Sequence, residues 1–201
     1  MAVRRNIKES ASQTAGPYVH IGLVPNWLGI SAYGGTDLGA VMAQAGAKGE
    51  RIRIDGLIRD GAGDVVRDAL VETWQADAGG RFPDDGDSDP QFMHWGRSAC
   101  DLTDGSFRFE TIKPGRVADA QGGLQAPHVL FWIVARGIMT GLATRLYFGD
   151  EAEANREDGL LRQLGARAES LVAPRQEIDG VPVYQFSIRL QGEGETAFLD
   201  I

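Results

Sequence analysis

Among the side chains that could do chemistry, the imidazoles of His20, His94 and His128 come first, because each could hold a metal or move a proton. They are widely separated, and none has a second histidine, a cysteine or a carboxylate at the local spacing of a metal site. No metal is expected from spacing alone. Glu72 is a carboxylate inside an otherwise apolar, strand-like run. Its expected role is an ion pair with an arginine at a sheet rim, and a catalytic acid is the alternative. Cys100 is the single cysteine, which excludes an internal disulfide and a CxxC-type metal site and fits a reducing compartment. There is no GxSxG, no Walker loop and no dinucleotide fingerprint, and the two acids of Gly192-Glu193-Gly194-Glu195 would repel phosphate.

The element that must position Glu72 is the run from Val65 to Phe82. Val71, Thr73 and Trp74 favour extended backbone, Asp77-Ala78-Gly79-Gly80 breaks it, and alternation sets Leu70, Glu72, Trp74 and Ala76 on one face. Ahead of it, Ile52, Ile54 and Ile58 share one face of a strand over 51–58, and the turn from Asp60 to Asp64 predicts that the two strands pair antiparallel. Residues 106–111 alternate as a half-exposed strand does. The unbroken apolar run 129–135 predicts a strand buried on both faces at a sheet centre, with 144–148 as its neighbour. Asp179-Gly180 turns the chain into a strand over 183–190 that sets Tyr184, Phe186, Ile188 and Leu190 on one face.

Elsewhere the pattern is weaker. Asp150 and Glu153 have capping-box spacing, so a helix is expected from Glu151, divided by Gly159 and ending near Leu164. The segment 12–23, with its Gly16-Pro17 turn, reads as an extended arm, and 26–49 as loop with at most a short helical turn. Asp84 to Asp89 lacks EF-hand spacing and reads as a solvated acidic loop. Strands and turns without a βαβ rhythm predict an all-β, antiparallel β-sandwich. At 201 residues and 43% hydrophobic content the chain suits one domain over 1–201, with arm and loops in 1–50 and the sandwich core in 51–201.

Twenty-eight acidic against 20 basic residues give a net charge of −8, which argues against nucleic-acid or anionic-membrane binding. The basic stretch Met1 to Glu9 has no apolar run behind it, so neither a signal peptide nor an anchor is expected there, and the longest apolar run is too short for a bilayer. A cytoplasmic protein is the expectation.

The motifs Leu70-Val71-Glu72-Thr73-Trp74-Gln75-Ala76-Asp77, Ile112-Lys113-Pro114-Gly115, Ala126-Pro127-His128 and Arg145-Leu146-Tyr147-Phe148-Gly149-Asp150 resemble, in order and spacing, those of the intradiol ring-cleavage dioxygenases. The resemblance spans nearly the whole chain. Within that family, the stretch Ser12 to Tyr18 and the C-terminal stretch Ile188 to Thr196 look like the alpha type of chain in the two-chain enzymes. That likeness implies a β-sandwich, an obligate beta-type partner chain, a higher oligomer of such pairs, and O2-dependent opening of a small aromatic substrate, protocatechuate, between its hydroxyls.

The resemblance also implies where the chemistry sits. In the family, Fe(III) is held in the beta chain by two tyrosinates and two histidines. The matching positions here are Phe82, Val117, His128 and Leu130, of which His128 alone has a donor atom. Hard Fe(III) requires anionic oxygen ligands, so this chain's own site is expected to be vestigial and to bind no metal. No catalytic residue is expected in this chain. The arm residues Thr14, Gly16, Pro17 and Tyr18 match those that line the partner's substrate cavity, where small residues and a fixed proline let backbone pass close to a ring. Two other readings stand beside this one. One is a non-catalytic sandwich that binds a ligand or partner in the vestigial cavity, with Arg116 or Arg136 pairing a carboxylate. The other is an independently active dioxygenase that recruits Tyr18, Tyr33, Tyr147 or Tyr184 to His128, which the missing ligand tyrosines oppose.

Overall fold

The computed structural model describes residues 13–119 and 122–200. The reading of Met1 to Glu9 and the start of the arm at Ser12 fall outside them. Two sheets face each other. The first has the order β10-β11-β1-β4, from Arg175–Ile178 (β10), Val181–Arg189 (β11), Arg51–Arg59 (β1) and Ser106–Ile112 (β4). The second has the order β3-β2-β7-β8-β9, from Trp95–Ala99 (β3), Leu70–Gln75 (β2), His128–Val134 (β7), Leu142–Phe148 (β8) and Val172–Ala173 (β9). A small ribbon joins Val117–Ala118 (β5) to Leu124–Gln125 (β6). The sandwich is as expected, and most pairings are antiparallel; β1 with β11 and β8 with β9 run parallel.

Alternation builds the core. Ile52, Ile54 and Ile58 of β1, Phe107 and Phe109 of β4, and Tyr184, Phe186 and Ile188 of β11 meet Val71, Val129, Phe131, Ile133, Leu146 and Phe148 of the second sheet. Phe131 sits at the centre, 5.1 Å from Phe186 and about equally near Phe107 and Phe109 at 6.1 and 6.0 Å between ring centroids. Asp179 and Gly180, both with positive φ (54° and 75°), make the tight turn between β10 and β11.

Several expectations need correction. β1 and the run after it do not pair: the hairpin starts with an isolated bridge between Arg59 and Val65, and the chain then crosses to the other sheet before β2 begins. β7 is indeed the middle strand of its sheet, but it is not buried on both faces, since Trp132 on its outer side remains 41% exposed. The arm is not extended throughout. Residues Pro17–Leu23 form a helix (α1) that starts on Gly16 with proline in the first turn, where its missing N–H costs nothing. The helical insertion is present as Ala152–Glu157 (α2) and Gly159–Leu164 (α3), but the capping box is not. Asp150 is drawn away to Lys113 and Tyr184, and Asp158 caps α3 by accepting from the amides of Leu160 (2.9 Å) and Leu161 (3.1 Å). As expected, the loop region after Asn26 holds one short 3-10 turn, at Tyr33–Gly35. Asp89 is buried rather than solvated: it accepts from the Lys48 and Gln91 amides, bonds that hold its carboxyl below the usual range.

The outer face of the second sheet is covered at its two ends. α1 and Val24 pack over Leu70, Ala99 and Val134, while α2, α3 and the 3-10 turn at 165–171 pack over Tyr147 and Ala126. The middle of that face stays open.

Candidate functional site

Polar side chains at the end of β2 build the frame. Gln75 is buried and bridges the two sheets, donating from Nε2 to Ile112 O (2.9 Å) and accepting from Thr111 Oγ1 (2.9 Å). Asp77, also buried, accepts from the amides of Gly79 and Arg81 with one oxygen and of Asp89 with the other. The loop after it is locked against 113–116, where Gly115 N donates to Asp77 O at 2.8 Å. Neither loop has room for a side chain at the crossing: a Cβ on Gly115 would lie 2.6 Å from Ala78 O, and one on Gly80, whose φ is +76°, would lie 2.0 Å from Arg116 O. These interlocked turns carry Phe82 and Val117.

The structure places the four expected positions as follows. Phe82 stacks on Trp74, with centroids 5.9 Å apart and planes 2° from parallel. Leu130 is directly opposite Trp74 across β2 and β7. His128 opens β7 on the same outer face, and Val117 is half-buried in the β5–β6 ribbon, which reaches that end of β7 through Gln125 and Ala126. Among these four, His128 alone offers a lone pair. Its Nδ1 donates to Ala126 O at 2.8 Å, which leaves Nε2 as the free nitrogen. Burial, reinforced by the nearby charge of Arg145, pushes the imidazole down to about 4.

Around His128 lies a polar cluster that motif reading passed over. Arg145 Nη1 donates to Gln125 Oε1 (2.8 Å) and to the Tyr147 hydroxyl (3.2 Å), which in turn donates to Asp158 Oδ1 (3.3 Å). Asp158 Oδ2 accepts from Ala126 N at 2.9 Å. The Tyr147 ring is 5.6 Å from the His128 ring, so this tyrosine does reach the histidine, but burial pushes its hydroxyl up to about 12 and its oxygen is already engaged by Arg145 and Asp158. Tyr184 bonds Asp150 and is likewise pushed up to about 12 by burial. Tyr33 donates to Gly22 O, and Tyr18 is 85% exposed. The signal that could have revealed the cluster was Arg145 and Tyr147 alternating on one strand beside a histidine.

Glu72 lies directly opposite Arg97 in the β2–β3 register and receives it at 2.6 Å on the edge strand, so it is an ion-paired rim residue. Arg116 is taken by the carbonyls of Leu124 and Gln125 and by Glu157 at 3.0 Å, and Arg136 pairs with Asp68 at 3.3 Å. His94 is buried against Phe92, 5.0 Å between ring centroids, and donates to Gln75 O. His20 is buried in α1 beside Trp27. Among the described residues no three His, Cys, Asp or Glu side chains gather as a metal site requires. A cleft of about 980 Å³, lined by residues of both sheets such as Asp55, Arg108, Ser98 and Val172, has none of the four positions in its lining. Its Asp55 is already paired with Arg53 and Arg108.

The arm leaves the sheet next to Arg136. Thr14 Oγ1 accepts from Gly137 N at 2.7 Å, and Gly16 and Pro17 line a cleft of about 580 Å³ with His20, Asp60, Arg67 and Arg136. Gly16 has φ −135°, an extended conformation open to any residue, and a Cβ there would meet nothing within 4 Å. Tyr18 projects into solvent.

A family model described as a dioxygenase matches residues 30–192. The chain belongs to the intradiol dioxygenase family. It is 43% identical over 196 residues to the protocatechuate 3,4-dioxygenase alpha chain of Pseudomonas putida, covering 96% of this chain and 97% of that one. The alpha chain of Burkholderia cepacia is 40% identical over 204 residues, covering 97% and 98%. The beta chain of the Burkholderia cepacia enzyme is 32% identical over 161 residues, covering 74% of this chain and 67% of that one. Among solved structures, catechol 1,2-dioxygenase from Pseudomonas arvilla C-1 has a TM-score of 0.60 at 22% identity, covering 77% of this chain and 56% of that one, a likeness of fold.

Intradiol dioxygenases use Fe(III), and the donor set here does not fit it. Phe82, Val117 and Leu130 carry no donor atom, and the hydroxyl of the tyrosine beside His128 is pushed up by burial and by Asp158, against the pull of Arg145.

Proposed function

We propose that this chain is the alpha subunit of a protocatechuate 3,4-dioxygenase, paired with a beta-type chain that holds Fe(III). In this reading the assembly is a cytoplasmic higher oligomer of alpha–beta pairs, and it opens protocatechuate with O2 between its hydroxyls to give 3-carboxy-cis,cis-muconate in the beta-ketoadipate pathway. The observation that carries the reading is the near end-to-end likeness to alpha chains, both ends of the alignment included. No described helix is long and apolar enough to cross a membrane.

This chain's part is structural. As one intradiol dioxygenase-like domain over 1–201, it presents the open middle of its second sheet to the partner and sends Thr14, Gly16, Pro17 and Tyr18 toward the partner's cavity. Phe82, Val117, His128 and Leu130 are vestigial ligand positions, and the iron chemistry belongs to the beta chain. The exposed ring of Tyr18 and the absence of any steric demand at Gly16 within this chain support an arm shaped for a surface outside it.

Co-expression with a beta-type chain that carries the two tyrosines and the His-x-His pair tests the reading. The pair is expected to contain one iron per alpha–beta unit, to be coloured by tyrosinate-to-iron charge transfer and to cleave protocatechuate. The alpha chain alone is expected to be colourless and iron-free. An iron-loaded, coloured alpha chain, or a pair without ring cleavage, would overturn it.

A further inference from the structure

The outer face of the second sheet carries a fixed positive charge where the family would set a cation. Arg145 is directly opposite Leu130 in the β7–β8 register, and Tyr147 is directly opposite His128. Directly opposed side chains leave one face of a sheet with Cβ atoms about 4.5–5.5 Å apart, so the Arg145 side chain begins beside one ligand position and diagonal to another. Its guanidinium then turns toward the Tyr147 hydroxyl and Gln125, next to the His128 ring.

The surroundings leave that charge without a carboxylate of its own. Among the described residues Arg145 has no ion pair within 4.0 Å. Asp158 is engaged by two helix amides, the Ala126 amide and the Tyr147 hydroxyl, and Glu157 is taken by Arg116. Arg145 Nε is buried with no hydrogen-bond partner, so the side chain is held there at some cost in solvation.

We infer that Arg145 closes this site to metal ions by charge, standing as an internal cation beside His128 and Leu130, so that loss of ligands is only half of what keeps the alpha-type site empty of metal. The inference rests on the proposed alpha-type role only in taking the four positions from the family.

The test adds one ligand back and varies the charge. Leu130→His gives, with His128, two imidazoles at alternate positions on one strand face, a donor pair suited to Ni(II). Nickel binding to the full-length chain is measured by calorimetry with arginine at 145, with Arg145→Lys and with Arg145→Gln, each corrected for its parent lacking Leu130→His. The expected result is that Leu130→His with Arg145→Gln binds roughly tenfold or more tightly than either charged version. Equal affinity in all three overturns the inference. So does an absence of nickel binding in the Arg145→Gln version, because something other than charge would then close the site. Should Leu130→His fail to fold, Trp74→His repeats the comparison from a half-exposed position on the same face. Protocatechuate cleavage by the wild-type pair is a separate readout, so the functional reading and this inference can fail independently.

Discussion

Thr14 and Gly137 are joined by a 2.7 Å hydrogen bond that spans 123 residues of sequence and ties the arm to the turn after β7. The bond fixes where the arm leaves the body, while Gly16 beyond it meets nothing within 4 Å. The Gly16→Val chain should therefore fold normally, and any effect must come through the partner. In the reconstituted pair, a shift of about an ångström at the reacting centre is expected to lower turnover on the order of a hundredfold with full iron loading. His128→Ala should leave iron content and rate nearly unchanged. Steady-state ring cleavage and iron analysis on both pairs decide it; a normal Gly16→Val enzyme beside an iron-depleted His128→Ala enzyme would reverse the assignment.

The second prediction concerns the chain without its partner. Tyr18, Ile21, Leu23, Trp74 and Trp132 are all more than a third exposed, on α1 and on the open face it borders. A surface of this kind is unusual for a monomer and common at permanent interfaces. The isolated chain is expected to self-associate, and added partner should disperse it. Sedimentation velocity checks this, and a clean monomer indifferent to the beta chain would count against the pairing.

His128 predicts a pH dependence of known sign. Its folded value near 4 lies below the value near 6.5 in an unfolded chain, so both states are neutral above 6.5 and stability is then full. Between 6.5 and 4 the unfolded chain takes up a proton that the folded one refuses, and stability falls. His128 as a residue is only half-buried, so the loss should be about 2–3 kcal/mol. His128→Asn should flatten the urea midpoint over that window. An unchanged pH slope in the mutant would assign the effect to other groups.

Asp158 is the most heavily used carboxylate in the outer cluster, bonded to three amides and a hydroxyl while nearly fully buried. Asp158→Ala removes a helix cap and leaves buried donors unpaired, at an expected cost of about 3–5 kcal/mol. Asp158→Asn keeps an acceptor and should cost less. Urea unfolding of both would reveal the difference, and a neutral Asp158→Ala would show that water replaces the carboxylate.

The strands that carry the core were legible because each alternates cleanly, as Ile52, Ile54 and Ile58 or Tyr184, Phe186 and Ile188 do. Their pairing was not. The turn after Arg59 has every local sign of a hairpin, and only the packing of two sheets decides that the chain crosses there. β3 escaped notice because Gly96 and Arg97 break its apolar pattern, and both are explained by neighbours far away in sequence: a Cβ on Gly96 would meet Met42 Sδ at 2.5 Å, and Arg97 pairs with Glu72. For α1 and α3 the signals were present in Gly16-Pro17 and in Asp158-Gly159, but the Asp150–Glu153 spacing was the more conspicuous and misled. Of the candidate site, the four ligand positions came from the family resemblance and not from spacing, whereas Arg145 acquires meaning only from the register that sets it opposite Leu130.

The parallel pairing of β1 with β11 has a consequence for how the chain is made. Arg53 lies opposite Val183, so the inner strand of the first sheet waits for a partner that emerges roughly 130 residues later. At about 5–20 residues per second, that strand stays without its neighbour for on the order of 10 s at the ribosome. Until then β4 can cover one edge of β1, while the other edge and the apolar row of Ile52, Ile54 and Ile58 remain open to any nascent strand nearby. Synthesis of β11 is thus what closes the first sheet, and truncations within β11 should be recovered as aggregates rather than as shortened domains.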